Sequence, residues 1–264
     1  MNIAYYSCSV CGAQYSPREA DYVCPLDSGN LTIHLEFETS AKKSDPKRVL
    51  RSREPSIWRY LPLLPVNDPG FHGTPLRQVG CTPVYQPERL RQELGLRHLW
   101  VKDESRNPSA SFKDRASAVL VARARQIGAE VMVTASTGNA GAALAGMAAA
   151  VAQKAVIFAP RTAPPAKIAQ LLIYGAQVIL VDGTYDQAFD LTVQAADEFG
   201  WYCRNTGYNP FTAEGKKSAA LEIWEWAVQE GRLAKLRDLE TRLTVIVSVG
   251  DGNIISGLHK GFKD

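Results

Sequence analysis

From about residue 97 the chain alternates short apolar runs with longer stretches whose apolar residues recur at helical spacing. The runs at 99–102, 130–134, 155–158, 177–181, 201–204 and 243–249 read as strands. The segments 112–127, 140–152, 165–174, 185–199 and 212–229 between them read as helices; in 185–199, Ala188, Leu191, Ala195 and Phe199 share one face. Runs such as Val178-Ile179-Leu180-Val181 are apolar throughout, so both faces of their sheet must be covered. The expected fold class is α/β, a doubly wound parallel sheet with helices on both sides.

The N-terminal third follows a different pattern. Residues 1–36 read as a small β-rich knuckle, with tight turns at Cys8-Ser9-Val10-Cys11 and Cys24-Pro25-Leu26-Asp27 and a short alternating strand at 32–37. Residues 38–60 are basic and polar and read as an exposed linker leading to a short helix at 56–61. Pro62, Pro65 and Pro69 then interrupt regular structure. The expected organisation is a knuckle at 1–36, a linker at 37–69 and an α/β catalytic region at 70–264.

Composition narrows the class of protein without naming one. The 264 residues are 45% hydrophobic and 22% charged, with 30 basic and 27 acidic side chains and a net charge of +3. That balance gives no reason to expect nucleic acid or an anionic membrane as partner. The apolar stretch 140–152 is too short and alanine-rich to span a bilayer, and no signal peptide is expected at the N-terminus. An odd count of five cysteines fits a reducing compartment, so cytoplasm is expected. The partner expected is a small amino-acid substrate, with a homo-oligomer left open.

Candidate chemistry lies where strands end. In open α/β sheets ligands bind beyond the C-terminal strand ends, and two small-residue loops fall at such ends before helix starts. One is Ser136-Thr137-Gly138-Asn139; the other is Gly250-Asp251-Gly252-Asn253-Ile254. Upstream, Asn107-Pro108-Ser109-Ala110-Ser111-Phe112-Lys113-Asp114-Arg115 places Lys113 at a helix start, where the positive dipole end favours a neutral amine. A lysine so held suits a Schiff base with an aldehyde cofactor. The first loop can bond the ring substituents of such a cofactor, and the second can cradle a phosphate. The three together point to pyridoxal phosphate. Each also has a plainer reading: Lys113 as a surface lysine, Asn139 as a helix cap, and the 250–254 loop as a turn, in which Asp251 would repel a phosphate unless it caps the helix.

Gly73-Thr74-Pro75-Leu76, Lys102-Asp103-Glu104, the 107–115 string, 136–139 and 250–254 occur in an order that resembles threonine synthases and threonine-synthase-like proteins. These belong to the tryptophan-synthase-β type, or fold type II, of pyridoxal-phosphate enzymes. The resemblance covers about residue 70 to the end. It implies that Lys113 is the Schiff-base lysine and Asn139 the partner of the cofactor 3′-oxygen. It further implies that Ser136, Thr137 and Gly138 bind the substrate carboxylate, and that Gly250, Asp251, Gly252, Asn253 and Ile254 hold the phosphate. The activity implied is conversion of O-phospho-L-homoserine and water to L-threonine and phosphate, a carbon–oxygen lyase reaction. A cysteate-synthase-like β-replacement, a threonine/serine dehydratase and a non-catalytic binding module are the alternatives. Relatives carry Asn where Asp251 stands. They also continue past this loop to supply a Ser or Thr facing the pyridine nitrogen, so the chain is expected to be C-terminally incomplete.

The knuckle resembles a zinc ribbon in which Asp27 replaces the fourth cysteine, giving Cys8, Cys11, Cys24 and Asp27 as candidate ligands. A degenerate ribbon that kept its shape without metal is the alternative. His34, His72, His98 and His259 show no metal or triad spacing, and no Gly-x-Ser-x-Gly elbow occurs.

Overall fold

The computed structural model describes residues 3–36, 49–229 and 243–264. Strands β1 (Ile3–Cys8), β2 (Gln14–Tyr15) and β3 (Leu31–Leu35) form an antiparallel sheet in the order β2-β1-β3. The alternation of strand side chains turns Tyr6, Cys8, Leu31, Ile33 and Leu35 inward, where they join one hydrophobic cluster with the helices of the main body. The knuckle is therefore packed on the α/β region, with a shared core.

The stretch expected as an exposed linker lies partly outside the described residues; Arg51, Arg53 and Pro55 are exposed as expected, but the chain is mostly buried from Ser56 to Val66. Ile57–Leu63 is a 3-10 turn that buries Ile57, Trp58, Tyr60 and Leu63. Ser56 Oγ accepts the Trp58 N–H at 3.3 Å to cap it. The basic residues before it masked an apolar cluster too short to show a period.

Strands β4 (Val84–Tyr85) and β5 (Val101–Lys102) pair antiparallel around the short helix α1 (Glu88–Glu93). The 99–102 run thus belongs to this ribbon and not to the parallel sheet, because its partner is the nearby chain, reached by a short connection.

The main sheet is wholly parallel, with β6 (Val131–Ala135), β7 (Lys154–Pro160), β8 (Gln177–Val181) and β9 (Tyr202–Cys203) in the order β8-β7-β6-β9. Helices α2 (Lys113–Gln126), α3 (Asn139–Ala149), α4 (Pro165–Ile173) and α5 (Tyr185–Phe199) alternate with it. Successive strand residues enter different cores. Met132, Ala155 and Ile157 pack in the cluster of α2 and α3, whereas Val133, Ala135, Val156 and Phe158 pack with Ala188, Ala195 and Ala196 of α5. Two covered faces explain why these strands are apolar throughout.

The expected strand at 243–249 does not form. Among the described residues it has no ladder partner, and Ile246 is 89% exposed. Strand propensity alone does not make a strand without a neighbouring edge to bond. This segment leads into α7 (Asn253–Lys263), which packs on α6 (Phe211–Gln229). The contact is close because α7 presents glycines: a Cβ on Gly257 would lie 2.7 Å from Lys216 Cβ, and one on Gly261 would lie 2.5 Å from Lys217 O. Gly215 brings α6 equally close to α2, where a Cβ would lie 2.6 Å from Ala116 Cα. These crossings bury the lysines of α6.

Among the described residues no helix is long and apolar enough to cross a membrane.

Candidate active site

Lys113 opens α2, and the turn before it is tightly held. Ser111 Oγ accepts the Lys113 N–H at 3.1 Å, and Asp114 accepts Ser109 N at 2.7 Å and Ser109 Oγ at 2.5 Å. Between the two serines Ala110 sits at φ +56°, a conformation costly for a residue with a Cβ. The rest of the 107–115 string is structural. Arg115, fully buried, donates to Glu104 at 2.7 and 2.8 Å and to Glu222 at 2.6 and 2.8 Å. Lys102 joins the same Glu222 at 2.6 Å, and Asn107 Oδ1 accepts the Gly80 N–H at 2.9 Å. The Lys102-Asp103-Glu104 and 107–115 strings therefore build a buried ion network that presents one side chain, Lys113, to the pocket.

That pocket, of about 320 Å³, lies beyond the C-terminal ends of β6 and β9. Its wall combines Lys113 with Ser136, Thr137, Gly138 and Asn139 and with Gly250, Asp251, Gly252 and Ile254. Three loops separated by up to 141 residues of sequence thus meet at one place. Four helices start at its wall, α2 at Lys113, α3 at Asn139, α5 at Tyr185 and α7 beside Ile254, so the positive ends of four backbone dipoles converge there. A larger cavity of about 460 Å³ opens at the opposite, N-terminal end of β6 and β9, beside Val131 and Trp201. It holds none of these loops, and ligands in such sheets bind at the other end.

Within the wall the loops shape themselves first. Ser136 Oγ accepts N–H groups from Gly138 at 3.1 Å and Gly141 at 2.8 Å, so the Gly138 N–H expected on a substrate carboxylate is held by the loop itself. Asn139 Oδ1 accepts Lys167 Nζ at 2.8 Å, which leaves the donor half of its amide to a ligand. Asp251 Oδ1 accepts the Asn253 N–H at 3.1 Å and so caps α7, while Gly252 turns the chain at φ +75°. Asn253 is turned away from the pocket wall: its side-chain oxygen accepts from Lys216 Nζ and from Thr212 Oγ1.

Sequence reasoning missed two cations. Arg204, which follows β9 and is fully buried, lines the pocket with both terminal guanidinium nitrogens lacking a hydrogen-bond partner. Burial pushes its pKa down to about 10, against the pull of Tyr185 and Asp251. Lys216, equally buried on α6, donates to Thr206 Oγ1 at 3.0 Å. Burial, then Arg204 and Lys113, drives it down to about 6. Lys113 is lowered too, by burial first and Arg204 second, with Asp251 opposing. Arg204 Nε donates to Ser117 Oγ at 3.4 Å, but two buried terminal nitrogens without partners are costly, and an anion beside them would relieve the cost. One signal was available: Arg204 ends a strand run, the position where ligands of parallel sheets sit. Lys216 gave none, since burial of that helix face is a tertiary matter.

A lysine with a depressed pKa, unpaired cationic nitrogens, convergent helix N-termini and glycines at 250 and 252 suit a phosphorylated aldehyde. The family comparison agrees, for residues 76–264 match the family model described as pyridoxal-phosphate dependent enzyme. The chain belongs to the pyridoxal-phosphate-dependent enzyme family. Among curated relatives it is similar to the threonine synthase of Methanocaldococcus jannaschii, 39% identical over 97% of this chain and 60% of that protein. The threonine synthase of Methanosarcina acetivorans is 33% identical over 98% of this chain and 60% of that protein. The chain thus spans about 60% of the length of these relatives. Among solved structures, the apo form of Escherichia coli diaminopropionate ammonia lyase superposes with a TM-score of 0.56 at 26% identity. That match covers 69% of this chain and 54% of the lyase. A pyridoxal 5′-phosphate-dependent aspartate racemase gives a TM-score of 0.56 at 25% identity, over 69% of this chain and 53% of the racemase. The expected fold type II architecture and cofactor class are borne out.

Proposed function

We propose that the protein of which this chain is part is a threonine synthase, converting O-phospho-L-homoserine and water to L-threonine and phosphate. The observation that carries the reading is the convergence of Lys113 with the two unpartnered terminal nitrogens of Arg204 on one pocket. The resemblance of nearly the whole chain to two threonine synthases supports the choice of substrate.

Lys113 Nζ would hold the cofactor covalently, Asn139 would donate to its 3′-oxygen, and residues 250–254 with Arg204 would receive its phosphate. Bound there, the cofactor supplies an electron sink for carbanions next to the amino group. The protein does the rest. Lys113, whose pKa is lowered by burial first and then by Arg204, would be freed as a base when the substrate amino group takes its place, and would then take the Cα proton and move protons at Cβ. With the Gly138 N–H held by Ser136, the carboxylate would be set against the N-terminus of α3 by Thr137, on a loop that Ser136 shapes. The substrate adds a second phosphate; Arg204 lies on the pocket wall, and Lys216 stands behind it, where a bound anion would draw it back toward the charged form. Arg204 and Lys216 therefore serve charge neutralisation at the phosphate end, with Lys216 acting through Thr206 and Asn253.

The test is phosphate release by the full-length protein loaded with cofactor. O-phospho-L-homoserine should yield phosphate and threonine in equal amounts. Release from O-phospho-L-serine with sulfite, or keto-acid formation from threonine or serine, in place of that reaction would refute the substrate assignment.

A further inference from the structure

The function leaves the N-terminal cysteines unused, and the structure brings them together. Cys8 ends the central strand β1 and Cys11 lies in the turn after it, Cys24 and Asp27 lie at the turn before β3, and their ligand atoms all lie within 4.8 Å of one another. Cys11 Sγ is 3.7 Å from Cys24 Sγ, and Cys8 Sγ is 3.3 and 3.6 Å from the two Asp27 oxygens. Zinc bonds of about 2.3 Å to sulfur and about 2.0 Å to oxygen put tetrahedral neighbours about 3.8 Å apart for two sulfurs and about 3.5 Å for sulfur and oxygen. The Cys11–Cys24 and Cys8–Asp27 separations match these values, and the remaining pairs lie within 4.8 Å. They are far too long for a disulfide, and all five cysteines are free thiols.

The turns are built around the donors. The Val10 N–H points at Cys8 Sγ at 3.3 Å, the Ser28 N–H closes on Cys24 O at 2.9 Å, and the Tyr15 hydroxyl lies 3.1 Å from Cys24 Sγ. Asp27 Oδ1 is oriented by the Gly29 N–H at 2.8 Å. Gly29 must be glycine here, because a Cβ would lie 2.7 Å from Cys8 Sγ and 2.9 Å from Asp27 Oδ1. Hydrogen bonds to ligand atoms from outside the set are how proteins orient a metal site.

We infer that these four side chains bind one structural zinc ion in a Cys3Asp site. Soft thiolates in a closed tetrahedral set favour zinc over magnesium or calcium. The ion would fix the loop between the turns, whose Tyr22 stacks on Tyr208 at 4.8 Å and accepts the Cys203 N–H at 3.0 Å. Cys203 immediately precedes Arg204, so the site would buttress the wall of the pocket from behind.

The experiment measures metal in the full-length protein purified without chelator and again after reconstitution with zinc alone. About one zinc per chain is expected, falling below about 0.1 in Cys24→Ser. Because that variant could unfold, the wild type is also loaded with cobalt, which should give intense tetrahedral d–d bands and thiolate charge transfer. Asp27→Cys should retain the metal and raise the charge-transfer intensity by about a third, for a fourth thiolate in place of three. Folded wild type that holds less than about 0.2 zinc per chain after reconstitution overturns the inference. Weak octahedral cobalt bands, unchanged intensity in Asp27→Cys, or a Cys11–Cys24 disulfide in fresh protein overturn it as well.

Discussion

Lys216 on α6 donates to the side-chain oxygen of Asn253, the first residue of α7. This bond joins a buried lysine to the loop that forms one wall of the pocket. It makes the charge at that wall sensitive to what the pocket holds, because Lys216 is already close to neutral by pH 7.

Sulfate is a suitable probe of that sensitivity, since it stays a dianion across the range. The ordinary lysine pKa of 10.5 is brought to about 6 here, and a bound anion raises it again. The contribution of Lys216 to anion binding is thus fully present below about pH 6 and fades as pH rises through the raised value. Sulfate should raise the melting temperature most at low pH, and Lys216→Met should flatten the dependence. An equal slope in both proteins would assign it to another group.

Two lysines of depressed pKa near one pocket make the covalent assignment a sharp test. Reduction of the cofactor-loaded protein with borohydride should label Lys113, which forms part of the wall, and not Lys216 behind it. Lys113→Ala should lose the label and all turnover. Peptide mapping decides between them.

Arg204→Met should separate binding from stability. It removes two buried guanidinium nitrogens that lack partners, so the cofactor-free variant should melt no lower than the parent. It should bind cofactor more weakly by about 2 kcal/mol, a factor of roughly 30, for one charge-assisted bond lost. A large drop in melting temperature with unchanged affinity would make Arg204 a structural residue.

The Arg115–Glu222 pair predicts acid sensitivity. Burial pushes the Glu222 carboxyl up, but Arg115 and then Lys102 reverse this and hold it near 2. Its stabilisation is present above the ordinary carboxylate value of 4.5 and is lost as pH falls through about 2. Glu222→Gln leaves Arg115 partly uncompensated and should cost about 3 kcal/mol in urea unfolding at pH 7. The variant should also lose less stability than the parent on acidification from pH 4.5 toward 2.

Much of this was legible along the chain because it is local. The runs that became β6, β7 and β8 are continuous apolar stretches a few residues long. The Ser136–Asn139 loop announces itself by small residues between a strand and a helix, and the paired cysteine turns by spacing alone. Tertiary structure decided the rest. Residues 243–249 have strand composition, yet a strand exists only where another edge accepts its hydrogen bonds, and no local pattern carries that information. Asn107, Asp114 and Arg115 surround Lys113 in the sequence, and only folding shows that they bond Gly80, Ser109, Glu104 and Glu222. Arg204 and Lys216 look like any other cations in the sequence. Folding buried both, Lys216 because glycines let α6 meet α2 and α7 at backbone distance, which removed water from a charge that the chain by itself would leave solvated.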